Sequence, residues 1–382
     1  MRPLYFDHNA TTPVAPTVRA AMLPLLDEVF GNPSSGHAWG LDAKEALEAA
    51  RGQVAALINA DPDEIFFTSC ATEANNTVIQ GLLREGGGML TSTVEHPSVL
   101  GPAREMARRG AGLLLTPVGR DGLIDPERAI AAIGPETRLV SVMLANNETG
   151  AIQPVWELAE TCREQGVPLL TDAAQAVGKI PVDVRRLGVD FLTLAGHKLN
   201  APKGVGALFV RRGADLPPLL FGGGQERGLR PGTENTAFAV GLGAACALAG
   251  QGLEAEMARR RGLGEVLLDG LHHLNEDFLI FAESARRLPN TLLVGFRGLA
   301  AGRLVEGLAL RDVAVSAGAA CHSPHSGGTE EATLSHVLEA MQARREYAQG
   351  TVRFSWGLGT TQDDVLELVE RLGRVLAELR RT

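Results

Sequence analysis

The sequence has few aromatic residues, no excess of positive charge and no long apolar run. Phe, Trp and Tyr make up 4% of its 382 residues, and the net charge is -9. An acidic chain without a long basic run is a poor candidate for binding nucleic acid or anionic membranes. No apolar run is long enough to span a bilayer, and the first residues lack the apolar core of a secretory signal. We therefore expect a cytoplasmic protein.

Cysteines are also few, and their spacing argues against a disulfide framework. The chain contains Cys70, Cys162, Cys246 and Cys321. None of them forms a C-x-x-C pair, and disulfides are not expected in a reducing cytosol. Cys162 and Cys246 fall in helix-like segments, so we interpret them as packing residues.

Cys321 differs because it occurs in a polar, glycine-rich stretch, "SAGAACHSPHSGG". His322 and His325 follow it, so this stretch alone is compatible with a metal site, half of a disulfide or a reactive thiol on a loop. A structural zinc site needs four ligands, and no second cluster in the sequence supplies the fourth. We therefore predict no metal site. An exposed thiol with a pKa near ambient pH is a good nucleophile toward sulfur.

Strand-like and helix-like segments alternate through most of the chain. Apolar strands such as "EIFFTS", "GGMLTST" and "VPLLTDAA" are separated by helical patterns such as "TEANNTVIQGLLRE". This alternation predicts an α/β fold with a mainly parallel sheet covered by helices on both faces. After Gly252 a long charged helix, short strands and a final helix predict a smaller α/β domain. We predict a large domain of residues 15–252 and a small domain of residues 1–14 and 253–382.

Polar residues that follow the predicted strands are the candidates for a ligand site. In open α/β sheets the ligand binds at the carboxyl ends of the strands, so residues distant in sequence converge there. The residues in question are Thr72, His96, Asn147, Asp172, Gln175, His197 and Lys198.

Lys198 and Asp172 together indicate a particular cofactor. A lysine near a strand end is usually solvated, and an aspartate there is commonly a helix cap. On neighbouring strand ends, however, this pair suits pyridoxal phosphate: the lysine forms the Schiff base and the carboxylate holds the pyridine nitrogen protonated. His96 could lie flat on the cofactor ring and relay protons as a catalytic residue, although a lone histidine is more often structural.

The phosphate of such a cofactor needs hydrogen-bond donors. "TSCATEANN" runs from a strand into a helix, so Ala71 and Thr72 lie at a helix N-terminus, which favours an anion. An ordinary capping box would have the same sequence. "FGGGQERGLRPGTEN" adds Arg227 and Arg230 beside several glycines, and we expect this segment to contact an anion too.

Ten ordered motifs over nearly the whole chain resemble a known family. They are "DHNATTPV", "GNPSSGH", "TSCATEANN", "EHPSV", "NNETG", "TDAAQAVGK", "GHK", "GGGQERGLRPGTEN", "GAACHS" and "RFSWG". The set resembles the cysteine desulfurases and selenocysteine lyases, which are fold-type I pyridoxal-phosphate enzymes of the class V aminotransferase group. The eighth and ninth motifs look closer to the selenocysteine lyases than to the housekeeping desulfurases.

The resemblance implies roles around the cofactor ring. Lys198 would be the Schiff-base lysine and would move protons between substrate carbon atoms. Asp172 would pair with the pyridine nitrogen, Gln175 would hydrogen-bond the ring hydroxyl, and His96 would stack on the ring. Asn147 would help to hold substrate and cofactor together.

The resemblance also implies how phosphate and substrate are bound. Thr72, the Ala71 backbone and His197 would bind the phosphate. Thr233 would reach the phosphate of the partner subunit, so the active enzyme would be a homodimer. Arg353 would hold the substrate carboxylate through a bidentate pair. Its alternative interpretation is a surface arginine.

Cys321 would take the sulfur atom of L-cysteine as a persulfide, release L-alanine, and pass the sulfur to a protein acceptor for iron–sulfur clusters, thiolated tRNA or another pathway. The residues from Cys321 to about Ser335 would form the delivery loop. A selenocysteine lyase would use the same residues. An aminotransferase would leave Cys321 idle, and a non-enzymatic sulfur carrier or metal-binding scaffold would have no use for Lys198.

The sequence departs from the family pattern in four places. Ala195 stands where many desulfurases have a phosphate-binding serine, so we expect one hydrogen bond fewer. Cys70 stands where glycine is usual, and we interpret it as a packing residue. Asn200 and Ala201 replace a frequent Tyr-Gly pair, and Trp356 replaces a smaller residue. None of these changes removes a catalytic group.

Overall fold

The computed structural model describes residues 2–317 and 334–381. In chain order its strands are β1 (Leu4–Tyr5), β2 (Ile65–Thr68), β3 (Gly88–Ser92), β4 (Gly112–Thr116), β5 (Thr137–Ser141), β6 (Leu169–Asp172), β7 (Phe191–Ala195), β8 (Gly206–Val210), β9 (Phe278–Ile280), β10 (Thr291–Phe296), β11 (Val313–Ala314) and β12 (Thr351–Ser355).

The helices cover the strands and connect them. They are α1 (Pro16–Met22), α2 (Pro24–Asp27), α3 (Ala38–Leu57), α4 (Ala71–Leu83), α5 (Pro97–Arg108), α6 (Pro126–Ala131), α7 (Val155–Glu164), α8 (Val184–Leu187), α9 (Thr236–Gly250), α10 (Leu253–His273), α11 (Ala301–Ala309), α12 (His336–Ala340), α13 (Arg345–Ala348) and α14 (Gln362–Leu379). Short 3-10 helices cover Pro62–Glu64, Gly196–Lys198 and Gln225–Gly228. Several helices begin with a proline, whose fixed φ suits the first helical position.

Within the described residues, the main sheet has the order β2-β8-β7-β6-β5-β3-β4. Only β8 runs antiparallel to its neighbours in this sheet, and all the other adjacent pairs are parallel. Every residue of β6 and β7 is buried, because helices cover both faces and the strands are apolar throughout. The sheet confirms the predicted α/β class with a mainly parallel mixed sheet.

The edge strand β4 was not predicted from the sequence. Its first four residues alternate between exposed and half-buried, so one face of the strand is partly open to solvent. Two glycines, Gly110 and Gly112, flank its start and weaken the strand pattern. Tertiary pairing with β3 nevertheless holds it in register over five residues.

A second group of strands packs beside the main sheet. Strands β9, β10 and β12 form an antiparallel sheet in the order β12-β10-β9, and β1 pairs in parallel with β11. Leu4 and Phe6 lie in one hydrophobic cluster with side chains of α10, α11, α14 and these strands. This cluster draws only on residues 1–14 and 253–382, which supports the domain division that remains our prediction.

In the described part of the chain, no single helix is long and apolar enough to cross a membrane. Helices α9 and α10 meet the length and composition criteria only as a pair, and they are bent by 76° relative to each other.

Candidate active site

A cavity of about 370 Å³ opens at the carboxyl ends of the central strands. It is lined by the strand-end residues predicted from the sequence, namely Thr72, His96, Asn147, Asp172, Gln175, His197 and Lys198. Ala71, Ala195, Cys70 and Arg353 also line it, as do residues that the sequence did not single out: Asn9, Ser98, Met143, Glu148 and His336. The topology therefore brings the candidate residues to one place.

Lys198 ends the short helical turn that follows β7, and the N-terminal segment holds its amine. Its Nζ donates to the carbonyl oxygens of Asn9 at 2.6 Å and Ala10 at 2.8 Å. Both carbonyls belong to a segment that crosses the cavity beside β12, since Asp7 bridges to Ser355. The amine is therefore fixed at the cavity wall by main-chain atoms.

Asp172 is the last residue of β6, and its carboxylate is held on both sides. Oδ1 accepts the backbone N–H of Ala174 at 2.9 Å, and Oδ2 accepts the side-chain amide of Asn75 at 2.9 Å. The Asn75 amide oxygen in turn accepts the Thr193 hydroxyl at 3.0 Å. Asn75 is fully buried inside α4. The sequence signal for this contact is a polar residue on the apolar face of a helix.

His96 caps α5 and is linked to the same network. Its Nδ1 accepts the backbone N–H of Ser98 at 3.1 Å and lies 2.8 Å from the Ser98 hydroxyl, which accepts from Asn75. These contacts put the proton of the neutral ring on Nε2. Burial lowers the pKa of His96; Asp172 opposes this effect, and Lys198 adds to it. The ring is therefore neutral near pH 7.

Glu95 precedes His96 in the chain and is buried completely. Its Oε1 accepts the Ser92 hydroxyl at 2.7 Å and the Met143 backbone N–H at 2.9 Å. Its Oε2 has no hydrogen-bond partner among the described residues. Burial raises the pKa of Glu95 to about 8, because a charged carboxylate would be desolvated there. A protonated carboxyl group supports this wall of the cavity at neutral pH.

The N-terminus of α4 faces the cavity with Ala71 and Thr72. The first intrahelical bond of α4 runs from the Ala74 N–H to the Cys70 carbonyl at 3.2 Å. The backbone N–H groups before Ala74 therefore have no acceptor within the helix. Such amides favour an anion. His197 lies nearby, 3.3 Å from the Thr11 hydroxyl, and burial lowers its pKa to about 4, with Lys198 contributing. A neutral His197 can donate one hydrogen bond to a phosphate.

Arg353 lies in β12 and is only 2% exposed, so the alternative of a surface arginine is wrong. Nη1 donates to the Asn147 carbonyl at 2.9 Å, and Nη2 pairs with Asp7 Oδ1 at 2.7 Å. Its Nε is buried without a hydrogen-bond partner among the described residues. A guanidinium with an unused donor at the cavity wall is a suitable group for a ligand carboxylate.

The two arginines expected to contact an anion do not line the cavity. Arg227 donates to the Ile65 carbonyl at 2.6 Å and lies 4.0 Å above the centre of the Phe66 ring. Arg230 pairs with Glu73 at 2.9 Å. Local partners therefore contact both guanidinium groups within the described chain, and the anion contact stays a prediction. Thr233 is exposed and lies outside the cavity.

His336 is both the first residue of α12 and part of the cavity wall. Its Nε2 lies 3.0 Å from the Glu95 carbonyl. The neighbouring Ser335 hydroxyl donates to Glu148 at 2.5 Å. These contacts anchor the chain directly after residues 318–333.

Cys321 falls outside the described residues, as do His322 and His325. Among residues 2–317 and 334–381, no group of three His, Cys, Asp or Glu side chains is arranged to hold a metal ion. Cys162 and Cys246 are buried, in agreement with their interpretation as packing residues. Burial raises the pKa of each thiol to about 12. Both therefore remain protonated and unreactive.

Comparison with known proteins identifies the family. Residues 4–368 match the family described as aminotransferase class-V. A cysteine desulfurase IscS of Neisseria meningitidis serogroup C / serotype 2a is 42% identical over 387 residues, which cover 99% of this chain and 93% of that protein. A solved NifS-like protein has a TM-score of 0.91 at 34% identity, covering 99% of this chain and 100% of its own. SspA in complex with cysteine has a TM-score of 0.79 at 34% identity, covering 92% and 98%. The chain belongs to the class V aminotransferase family.

Proposed function

We propose that the protein is a pyridoxal-phosphate-dependent cysteine desulfurase. It would convert L-cysteine to L-alanine and transfer the sulfur atom to Cys321, from which a protein acceptor takes it. The observation that carries this proposal is the meeting of Lys198, Asp172 and Arg353 at one cavity. Relatives named cysteine desulfurase, similar over nearly the full chain, support the same reaction.

The donor set of the cavity fits the cofactor. Lys198 offers an amine for an aldehyde carbon, Asp172 offers a carboxylate for a ring nitrogen, and the amides at the start of α4 suit a phosphate. Ala195 has no hydroxyl, so the phosphate would lose one donor at that position. When bound, pyridoxal phosphate supplies an electron sink that makes the substrate Cα–H bond acidic.

The remaining chemistry belongs to side chains of this chain. Arg353 would bind the substrate carboxylate through its unused Nε, and thereby orient the Cα–H bond toward Lys198. Lys198 would remove the Cα proton and return a proton to carbon, and its place in the cavity lining supports this role. His96, neutral and held by Ser98, would form a flat wall against the ring.

Sulfur transfer requires a nucleophile that is not among the described residues lining the cavity. The Cys321 thiolate would attack the substrate sulfur, so that an S–S bond forms and the C–S bond of the substrate breaks. The carbon gains a proton, and the products are L-alanine and a persulfide on Cys321. Ser316 pairs with Arg353, and Ser335 contacts Glu148, so both chain ends that flank residues 318–333 are tied to the cavity.

The homodimer and the cytoplasmic location belong to this proposal as well. Large apolar side chains between the end of α1 and the first turn of α3 are exposed, which suits a contact with a second subunit. They are Leu23, Leu26, Phe30, Trp39 and Leu41. Thr233 is exposed and outside its own cavity, as a residue that reaches a partner's phosphate would be.

Turnover with L-cysteine tests the proposal. We expect a yellow protein that forms alanine and, with a reductant, sulfide. Cys321→Ala should abolish both products, while Cys246→Ala, which removes a buried thiol elsewhere, should retain both. Unchanged alanine formation in Cys321→Ala would refute the persulfide route and favour another class V activity. Alanine formed from L-selenocysteine alone would identify a selenocysteine lyase.

A further inference from the structure

A buried lysine stands behind the cavity wall and has no role in the chemistry described so far. Lys179 is 3% exposed, and its Nζ donates to the side-chain oxygens of Gln175 at 2.6 Å and Asn9 at 3.1 Å. No carboxylate forms an ion pair with it within residues 2–317 and 334–381. A buried amine without a counter-ion is unusual, because burial of a lone charge is costly.

The number of hydrogen bonds matches a neutral amine. A neutral amine has two N–H groups, and Lys179 has two neutral acceptors. The charged groups that act on its pKa are cations: Arg260, Lys198 and Arg353. Burial, reinforced by these cations, holds the pKa of Lys179 well below its ordinary value.

The ionisable groups around Lys179 provide no negative charge that would raise its pKa again. Arg260 already pairs with Glu256, and Arg353 pairs with Asp7. Burial lowers the pKa of His8 to about 4, and the nearby Lys179 adds to this effect. His8 is therefore neutral near pH 7 and supplies no charge. The described contacts of Lys179 are therefore hydrogen bonds to neutral side-chain oxygens, with no counter-ion beside it.

Two independent contacts fix the amide of Gln175. Its Nε2 donates to the Asn9 carbonyl at 3.0 Å, an atom that can only accept. Its Oε1 accepts from Lys179 on the other side. Turning the amide over would set two oxygens against each other and remove one of the two acceptors of Lys179. The amide nitrogen, with a second N–H, is therefore the group that Gln175 offers at the cavity wall.

We infer that Lys179 is a positioning residue that locks the Gln175 amide with its nitrogen available to an acceptor atom of the bound cofactor. The inference rests on the proposed function, since it assigns Gln175 to a cofactor contact. Asn9 is shared by this device and by Lys198, because the Asn9 carbonyl accepts from both Gln175 and Lys198. The Gln175 amide and the Lys198 amine, which would both contact the cofactor, are thus held by the same carbonyl oxygen.

A double-mutant cycle tests the inference. Pyridoxal 5'-phosphate is titrated into the cofactor-free protein, and the dissociation constant is read from absorbance for Lys179→Met, Gln175→Leu and their combination. Loss of one oriented hydrogen bond predicts a dissociation constant about tenfold higher in Lys179→Met. In the Gln175→Leu background the same substitution should change it by less than about twofold. Lys44→Met removes an exposed lysine from α3 and should have no effect.

An equal loss in both backgrounds would overturn the inference, because Lys179 would then act through general packing. No loss in Lys179→Met would overturn it as well. Thermal unfolding of the cofactor-free variants establishes that each is folded. If Lys179→Met does not fold, Lys179→Gln, whose side chain is one atom shorter, replaces it in the same cycle. Wild-type protein that binds no cofactor would refute the proposed function itself, which is a different outcome.

Discussion

The ion pair between Asp7 and Arg353 yields a prediction in which stability and function separate. Asp7→Asn keeps the shape of the side chain but removes the negative charge that faces the guanidinium. Arg353 is 2% exposed and the Asp7 side chain 18% exposed, so little solvent can replace the lost partner. The Asn147 carbonyl, 2.9 Å from Nη1, is the neutral contact that remains.

The expected cost follows from that burial. Removing one partner of a fully buried ion pair costs about 3–5 kcal/mol, chiefly because the other charge is left uncompensated. Since Asp7 is partly exposed, and since an asparagine oxygen can still accept from Nη2, we expect about 2–3 kcal/mol for Asp7→Asn. Adding Arg353→Met removes the stranded charge, so the double variant should recover at least half of this loss.

Urea denaturation of the cofactor-free protein measures these differences, and turnover of L-cysteine measures function in the same variants. The double variant should be more stable than Asp7→Asn and yet lack substrate turnover, because it has lost the carboxylate-binding group. If Asp7→Asn costs less than about 0.5 kcal/mol, the pair is not the buried electrostatic contact argued here. If the double variant turns over L-cysteine normally, Arg353 does not bind the substrate.

Further predictions concern the other acidic groups of the site. Asp172→Asn should lower turnover by about 100-fold, because a neutral amide no longer holds a ring proton. The control is Asp190→Asn, which changes a buried aspartate outside the cavity and should retain activity. Alanine formation measures the activity of both variants. Asn75→Leu should reduce turnover about tenfold by freeing the Asp172 carboxylate, with unchanged activity contradicting the network. Because the pKa of Glu95 is raised to about 8 when folded and is near 4.5 when unfolded, stability should fall as pH rises from about 4.5 to about 8. Glu95→Gln should flatten this dependence in urea titrations, and an identical pH profile would contradict the assignment.

The strands and the residues at their ends could be predicted from the sequence because both leave local signals. Buried parallel strands appear as continuous apolar runs, and topology alone carries the residues after them to one edge. Lys198, Asp172 and His96 could therefore be assigned to one site from the local sequence alone. The edge strand β4 was missed because its exposed positions weaken the apolar run.

The supporting contacts could not be predicted, because their partners are far apart in sequence. Asn75 meets Asp172 across 97 residues, and Asn9 meets Thr291 across 282. The partners of Arg227 and Arg230 could not be predicted for a similar reason. Charge and glycine content suggested a ligand, but the Phe66 ring and Glu73, distant in sequence, bind the two guanidinium groups instead.

The amine of Lys198 rests on carbonyl oxygens, and this has a consequence for how the site tolerates sequence change. Substituting a side chain at position 9 or 10 leaves the two carbonyl acceptors in place, and position 10 is alanine already. An alanine scan would therefore remove neither acceptor of Lys198, and at position 9 it would report the side-chain contacts with Thr291 and Lys179 instead. Inserting or deleting one residue between Asp7 and Thr12 would instead shift the carbonyls out of register. Point substitutions at positions 9 and 10 thus keep both carbonyl acceptors of the Lys198 amine, whereas a change in chain length displaces them.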